Sequence, residues 1–225
     1  NYYFFTLLFN NWTILKKKYM KLKLIVFDLD GVLINSLPNM IYSWNKVRRK
    51  FKIDNQFTEF YKFIGLEFYE ILENLKIKKK DFLKIKKAYS KFSNEGSNRI
   101  KLYKNVKKTL LKLNKITPLA ILTSKDKART KKILKKLLSE INFQSVQSPT
   151  KKFRSKPSSD LLLKLIAENN VNLDQVLFIG DSVYDYQMAK RSHVKFVYAK
   201  YGYSNLKNNK MNTINSINQI FKFVK

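Results

Sequence analysis

Cysteine is absent from this chain of 225 residues, and histidine occurs once, at position 193. Without cysteine, neither a disulfide framework nor a thiolate zinc site can form, and a single histidine excludes a centre built from several histidines. The lack of cysteine also fits a reducing compartment, so we expect a cytoplasmic protein. Glycine and proline are scarce, at five and four residues, and a content of 44% hydrophobic and 28% charged residues is typical of a globular chain.

Acidic residues are also few: 16 Asp and Glu face 46 Lys and Arg, a formal net charge of +30. One interpretation is a protein that binds nucleic acid or an anionic membrane, since lysines displace counterions from phosphates. The other is compositional, because Lys, Asn, Ile, Phe and Tyr are all abundant and share A/T-rich codons. The lysines are spread along the whole chain, so we expect no specific nucleic-acid partner.

Long apolar runs are missing too. Residues 1–19, "NYYFFTLLFNNWTILKKKY", are aromatic and apolar but are interrupted by Asn10, Asn11 and Thr13. A membrane-spanning helix needs about 20 predominantly apolar residues, and a secretory signal carries its positive charge before the apolar stretch, not after it. We therefore expect no membrane span and an N-terminal extension outside the fold; the alternative is a short membrane-surface anchor.

Short apolar runs alternate with helical patterns over much of the chain. This order predicts a parallel sheet whose two faces are covered by helices, with one more, weaker strand near Val146. The predicted strands are Leu22–Phe27, Pro118–Leu122, Val176–Ile179 and Lys195–Tyr198, and the predicted helices are Val106–Asn114, Lys127–Leu138, Asp160–Asn169 and Asp185–Arg191.

Residues 36–105 differ, because they have helical periodicity and no convincing strand. "MIYSWNKVRRKF", "FTEFYKFIGLEFYEILENL" and "KDFLKIKKAYSKF" predict successive amphipathic helices. Asn35 or Ser36 can cap the first of them, with Pro38 in its opening turn. We predict a catalytic core formed by residues 20–35 and 106–225, and a helical cap formed by residues 36–105.

Polar residues follow three of the predicted strands, at their carboxyl ends. In open α/β sheets that edge is where ligands bind, so these groups can converge on one site. Several carboxylates in one crevice repel one another unless a cation joins them, and oxygen ligands without cysteine favour magnesium. The residues concerned are Asp28, Asp30, Thr123, Ser124, Asp181 and Asp185.

Four segments carry a resemblance to a known family. In order they are "DLDGVLINS", "LTSK", "RSKPSSD" and "GDSVYD", and they resemble the motifs of the haloacid dehalogenase-like phosphohydrolases, especially the subgroup of phosphoglycolate phosphatases and β-phosphoglucomutases. The resemblance runs from about Lys21 to Tyr203 and includes "YAKYGYS". It implies a Rossmann-like α/β core, with the helical stretch as the cap inserted after the first motif.

The resemblance also implies roles for the acidic residues. Asp28 is expected to attack phosphorus and form an aspartyl-phosphate, while Asp30 protonates the leaving oxygen and then activates water. Magnesium is expected on Asp28, on the backbone carbonyl of Asp30 and on Asp181, with Asp185 orienting a ligand water. Taken alone, an Asp-x-Asp after a strand is more typical of a turn or a helix cap.

The phosphoryl group is expected to be held by Thr123, Ser124, Lys156 and the backbone amides after Asp28. Lys156 has basic neighbours at positions 151, 152 and 154, and the "PSSD" that follows it selects it. Each residue alone is also typical of a cap or a solvated surface lysine; their order and strand-then-loop context favour the catalytic interpretation.

Two positions depart from the family pattern. Asn35 stands where many relatives carry a second aspartate, and an amide can still cap a helix. His193 stands where relatives often have glycine, and we expect it to be a turn residue in a left-handed conformation and not a catalyst.

The predicted function is a magnesium-dependent phosphatase acting on a small phosphorylated metabolite, either phosphoglycolate-like or a sugar phosphate. A phosphosugar mutase on the same site is the alternative, and a basic nucleic-acid-binding protein is an alternative of another class. Dehalogenation is disfavoured because expelling halide needs no proton donor, whereas Asp30 supplies one. Gly65 is expected in a cap loop that faces the site and selects the substrate; the alternative is an ordinary helix–helix turn. The residues indicate no oligomeric state.

Overall fold

The computed structural model describes residues 22–206 and 211–224, so the predicted extension at residues 1–19 lies outside the described part. Six strands form one parallel sheet in the order β5-β4-β1-β6-β7-β8, and β2 pairs with β3 in a separate antiparallel ribbon. The strands are β1 Leu24–Phe27, β2 Ile34–Asn35, β3 Lys101–Leu102, β4 Leu119–Leu122, β5 Phe143–Gln147, β6 Val176–Gly180, β7 Lys195–Ala199 and β8 Thr213–Ile214.

The helices follow the predicted alternation, and short 3₁₀ turns join some of them. The α-helices are α1 Leu37–Phe51, α2 Phe57–Tyr61, α3 Phe68–Asn74, α4 Phe82–Glu95, α5 Val106–Asn114, α6 Lys127–Leu137, α7 Asp160–Glu168 and α8 Val183–Arg191. The 3₁₀ turns are Lys79–Asp81, Ser97–Arg99, Leu173–Gln175 and Ile217–Lys222.

The sheet is covered on both faces, as a parallel sheet of continuous apolar strands requires. Strand β1 lies near its centre, paired with β4 through Ile25 and Leu119 and with β6 through Val26 and Phe178. One face packs against α5, α6 and the C-terminal 3₁₀ turn, and the other packs against α7 and α8. The predicted fold class, a Rossmann-like parallel α/β sheet, is confirmed.

Helices α1 to α4 share a separate hydrophobic cluster, in which the ring of Phe60 contacts those of Trp44 and Tyr89. The segment "FTEFYKFIGLEFYEILENL" forms two helices, α2 and α3, with Gly65 between them. The chain breaks between α2 and α3, where Gly65 has a φ of +110°, a conformation that favours glycine. The assignment of residues 36–105 to a separate cap stays a prediction.

The β2–β3 ribbon was not expected, since residues 36–105 were predicted to contain no strand. Ile34 pairs with Leu102 and Asn35 with Lys101. The ribbon therefore joins the two ends of the helical segment, β2 just before helix α1 and β3 just after helix α4. Strand β8, also unpredicted, is equally short. Two-residue strands carry too little periodicity to be recognised in a sequence.

Two local predictions concern the start of α1 and the membrane. Asn35 Oδ1 accepts a hydrogen bond from the backbone N–H of Leu37 at 3.2 Å, whereas Ser36 occupies the N-cap position without a capping bond. Among the helices of the described residues, none combines the length and apolar character needed to cross a membrane.

Candidate active site

The site lies at the carboxyl edge of the sheet, where the loops after β1, β4 and β6 meet. Asp28 follows β1 directly, and the chain then turns at Gly31, whose φ is +85°. A side-chain carbon at Gly31 would collide with the carboxylate of Asp181. Glycine is therefore needed both for the backbone conformation and for the close approach of the loop after β6.

Three buried carboxylates form the centre of the site. Asp28, Asp181 and Asp185 each offer an oxygen, and these oxygens all lie within 4.8 Å of one another. The residues are 4%, 2% and 0% exposed, so their mutual repulsion is poorly screened by water. Oxygen ligands at this spacing fit a hard divalent cation.

Lys156 is fully buried and faces this carboxylate cluster. Its Nζ lies 2.6 Å from Asp28 Oδ1 and 2.7 Å from Asp185 Oδ1. Burial lowers the pKa of Lys156, but the charges of Asp185 and Asp28 raise it by more, so it stays above its usual range. One ammonium among three carboxylates leaves a negative excess, which a divalent cation would neutralise.

The pKa values of Asp28 and Asp181 are both raised. Burial raises the pKa of Asp28 to about 7, with the charges of Asp185 and Asp30 adding to the effect and Lys156 opposing it. Burial, followed by the charges of Asp185 and Asp28, raises the pKa of Asp181 well above its usual range. The cluster therefore holds protons near neutral pH unless a cation takes their place.

Asp185 is already bonded on both carboxylate oxygens. Its Oδ1 pairs with Lys156, and its Oδ2 accepts hydrogen bonds from the backbone N–H of Ser182 at 3.0 Å and from the Ser182 hydroxyl at 2.6 Å. The Ser182 hydroxyl also accepts from the N–H of Asp185 and caps α8. This arrangement suits an orienting group better than a direct ligand.

The carboxylate of Asp30 has different partners from those of Asp28. Its Oδ2 lies 3.1 Å from Lys125 Nζ, and its Oδ1 accepts a hydrogen bond from the Ser36 hydroxyl. Asp30 lines the cavity beside Asp28, where a proton donor for a departing oxygen is needed.

The loop after β7 closes the site from another side. The backbone N–H of Tyr203 donates to Asp181 Oδ2 at 2.6 Å, and the Tyr203 hydroxyl accepts from the N–H of Ser36 at 2.8 Å. Burial raises the pKa of Tyr203 well above its usual range, so the hydroxyl stays neutral. The segment "YAKYGYS" thus joins the loop after β6 to the start of α1.

Thr123 and Ser124 follow β4 at the same edge. Thr123 is 1% exposed and its Oγ1 accepts from the N–H of Lys125 at 3.2 Å. The Ser124 hydroxyl donates to the carbonyl of Gly65 at 2.6 Å. Gly65 lines the cavity, and a side-chain carbon there would lie 2.9 Å from Tyr184 Cδ2.

The α2–α4 region lines its side of the cavity with mostly apolar side chains. Tyr89 of α4 is the polar one among them, and burial raises its pKa to about 12, so it stays a neutral hydroxyl. The apolar residues are Phe60, Ile64, Leu66, Phe68 and Ile71.

All of the predicted site residues meet at this edge: Asp28, Asp30, Gly65, Thr123, Ser124, Lys156, Asp181 and Asp185. All but Asp185 line the cavity, and Asp185 is reached through Lys156 and Asp28. Sequence reasoning missed Ser36, Lys125, Arg129 and Tyr203. Lys125 ends the motif "LTSK" and Tyr203 lies in "YAKYGYS", so their positions were a signal. Ser36 ends the motif "DLDGVLINS" and was expected only as a helix cap, and Arg129 carries no such signal.

Both departures from the family pattern lie away from the reacting groups. Asn35 lies just before α1 and accepts a hydrogen bond from the N–H of Leu37. His193 is exposed and has a φ of +54° in the turn between α8 and β7. The prediction of a left-handed turn residue is confirmed.

Comparisons with known proteins identify the family of this chain. The model of the haloacid dehalogenase-like hydrolase family matches residues 25–199. A phosphoglycolate phosphatase from Mannheimia succiniciproducens is 28% identical over 195 residues, which cover 81% of this chain and 87% of the relative.

Solved structures share the fold over most of their length. A predicted phosphoglycolate phosphatase from Haemophilus somnus 129pt superposes with a TM-score of 0.82 at 25% identity, covering 91% of this chain and 98% of that chain. A predicted phosphatase from Clostridium acetobutylicum superposes with a TM-score of 0.79 at 22% identity, covering 91% and 98%. The predicted family and enzyme class are confirmed: the chain is a phosphatase and belongs to the haloacid dehalogenase-like hydrolase family.

Proposed function

We propose that the protein hydrolyses a small phosphomonoester through an aspartyl-phosphate on Asp28, with magnesium as its metal. The observation that carries the proposal is the placement of Asp28 in a cavity between Lys156, at 2.6 Å, and two further buried carboxylates. A carboxylate nucleophile, a fixed cation and a metal-binding cluster are the parts that phosphoryl transfer to an aspartate needs.

The reaction then has two steps on the same residues. A carboxylate oxygen of Asp28 bonds to phosphorus while the bond to the leaving oxygen breaks, and Asp30 gives that oxygen a proton. Water next attacks the phosphorus of the aspartyl-phosphate, Asp30 takes the water's proton, and phosphate leaves with Asp28 restored. Thr123 and Lys156 hold the phosphoryl oxygens as charge develops on them.

Magnesium would be held by Asp28, the backbone carbonyl of Asp30 and Asp181, with Asp185 orienting a water ligand. When bound it supplies positive charge to the phosphoryl oxygens. The raised pKa values of Asp28 and Asp181 support a cation at this cluster, because a bound divalent ion would let both carboxyl groups ionise at neutral pH.

The cavity wall favours a phosphoglycolate-like substrate over a sugar phosphate. Sugar hydroxyls need polar partners, and leaving such groups unpaired in a buried site costs affinity. The apolar wall from α2 and α3 offers them few partners, which disfavours both sugar phosphates and the mutase alternative. The Mannheimia relative is named as a phosphoglycolate phosphatase.

The test is phosphate release from a panel that includes phosphoglycolate, glucose 1-phosphate and glucose 6-phosphate, with magnesium or with EDTA. We expect release from phosphoglycolate that requires magnesium and is lost in Asp28→Asn. Asp174→Asn, which changes an exposed aspartate on the Leu173–Gln175 turn, is the matched control and should keep activity. Full turnover in Asp28→Asn, or interconversion of the two glucose phosphates without phosphate release, would overturn the proposal.

A further inference from the structure

Arg129 is a buried cation in the active-site cavity that the proposed chemistry does not use. It lies in the first turn of α6, is 8% exposed, and lines the same cavity as Asp28 and Lys156. Burying a guanidinium is costly unless it is paired. A role in recognising an anion would explain why it is placed here.

The other two cations of the cavity are engaged by catalytic carboxylates. Lys156 pairs with Asp28 and Asp185, and Lys125 pairs with Asp30. Within the described residues, Arg129 pairs with the carboxylate of Asp126 through its Nε and also interacts with the Tyr89 hydroxyl, and no second carboxylate occupies the terminal edge of its guanidinium. That terminal edge is the part of an arginine that binds a carboxylate or phosphate with two parallel hydrogen bonds.

The surroundings of Arg129 favour anion binding. The guanidinium carbon lies 5.2 Å from the ring centroid of Tyr89, and the Tyr89 hydroxyl is a second, neutral donor on the same wall. Phe60 and Phe68 are nearby members of that wall. An apolar wall lowers the local dielectric, so a charge pair formed there is stronger than one in water.

We propose that Arg129 is the specificity-determining residue of this phosphatase and binds a second anionic group of the substrate, a carboxylate a few bonds from the phosphoryl group. The proposal rests on the proposed function, which places the phosphoryl group at Asp28 and Lys156. Asp28 and Arg129 line the same cavity, so one small molecule can present its phosphoryl group to Asp28 and its carboxylate to Arg129.

A purely structural role for Arg129 predicts something different. Arg129 also braces the N-cap of α6, since its own N–H donates to Asp126 Oδ1 at 3.0 Å, and its ring contact joins α6 to α4. If that bracing were its whole role, removing its charge would affect every substrate alike.

The experiment compares phosphoglycolate with 2-hydroxyethyl phosphate, which keeps the two-carbon chain but lacks the carboxylate. Arg129→Gln should lower kcat/KM for phosphoglycolate by about 10- to 150-fold, the range expected for lost hydrogen bonds to a charged group, mainly through KM. It should change kcat/KM for 2-hydroxyethyl phosphate by less than about 3-fold. Arg129→Lys, which keeps the charge but not the two parallel bonds, should fall between.

Lys132→Gln is the matched control, because Lys132 lies on the same helix but is exposed and lines a neighbouring groove and not this cavity. It should leave both substrates unaffected. Equal losses on both substrates in Arg129→Gln would show a structural brace, and no loss on phosphoglycolate would exclude carboxylate recognition; either result overturns the proposal.

A binding measurement separates this proposal from the proposed function. Calorimetry with phosphoglycolate is done on Asp28→Asn and on the Asp28→Asn, Arg129→Gln double variant. Binding that weakens about 10-fold or more without Arg129, in a protein whose wild type releases no phosphate, would reject the proposed hydrolysis and keep the anion site. Equal binding in the two variants would reject the anion site whatever the turnover.

Discussion

Lys156 and Asp185 form an ion pair of 2.7 Å in which neither side chain is exposed to solvent. A buried pair of this kind contributes little net stability compared with apolar residues, but breaking it by removing one partner leaves an uncompensated charge. Since Lys156 also pairs with Asp28, it neutralises part of the carboxylate cluster at the centre of the site.

Lys156→Met should therefore destabilise the metal-free protein by about 3–5 kcal/mol and abolish phosphate release. Urea denaturation followed by circular dichroism measures the free energy of unfolding. Lys152→Met, at an exposed position in the same loop, is the control and should change it by less than about 0.5 kcal/mol. Adding Asp185→Asn should recover part of the loss; additive losses would show that the two side chains do not interact.

Asp30→Asn should lower turnover by about 10²–10⁴-fold, because the amide can neither protonate the leaving oxygen nor accept a proton from water. Substrates with good leaving groups need less protonation, so the loss in the rate of Asp28 phosphorylation should be smaller for p-nitrophenyl phosphate than for an alkyl phosphate. Single-turnover kinetics measure that step directly. An equal loss for both substrates would contradict the acid role.

The raised pKa of Asp28, about 7, predicts a stability that falls with rising pH in the absence of metal. An unfolded aspartate ionises near pH 4, so between about pH 4 and 7 the folded state binds more protons at this site than the unfolded state. The free energy of unfolding therefore decreases through this window, by at most about 1.4 kcal/mol per pH unit for one proton.

Asp28→Asn should reduce this pH dependence, so the wild type should lose stability relative to the variant as the pH rises. Denaturation curves of both proteins in EDTA at pH 5, 6, 7 and 8 test it. Magnesium should stabilise the wild type more at pH 8 than at pH 5, because the ion competes with protons for the cluster. A wild type that gains stability relative to Asp28→Asn towards pH 8 in EDTA would contradict the prediction.

Gly65→Ala should lower kcat/KM and destabilise the protein by about 1–3 kcal/mol. The residue has a φ of +110°, and the new side-chain carbon would lie 2.9 Å from Tyr184 Cδ2, so the loop has to move away from the site. Lys62→Ala, exposed at the start of the same connection, should behave as wild type in steady-state kinetics. Wild-type kinetics in Gly65→Ala would favour an ordinary turn over a specificity loop.

The net charge of +30 should affect the rate of phosphate release more than the choice of binding partner. If it is compositional, DNA binding should be weak and independent of sequence, and its log affinity should fall by about 0.9 per neutralised phosphate for each log unit of salt. Phosphate release should persist with saturating DNA and decrease moderately with salt, as the positive field steers an anionic substrate. Tight binding to a defined nucleic acid at physiological salt, without ester hydrolysis, would favour the basic-protein alternative.

The strands and helices around the sheet were predictable because each carries a strong apolar pattern; the bounds of α5, for example, agree with the prediction. The sequence also predicted that Asp28, Asp181 and their partners lie at one edge of the sheet, because the carboxyl ends of parallel strands meet there. Lys156 was chosen from several basic neighbours by a motif and proves to be the fully buried one.

What the sequence could not indicate depends on contacts between distant segments. In the sequence, Arg129 is one more basic residue on a lysine-rich helix. Its contact with Tyr89 of α4 exists only in the folded protein. Ser36 is predicted only as a helix cap, yet its hydroxyl donates to Asp30 and its N–H to Tyr203. These roles arise from tertiary packing, which no periodicity encodes.

The ribbon of β2 and β3 has a consequence for how the chain folds. Strands β1 and β4 pair through Phe27 and Ile121, although a long segment of chain separates the two residues. Closing such a loop carries an entropic penalty that grows with its length. Once Ile34 pairs with Leu102, the helical segment between them is already closed, and the remaining search between β1 and β4 involves a much shorter effective loop. Early pairing of the ribbon would thus accelerate assembly of the sheet, so weakening it should slow refolding more than it speeds unfolding.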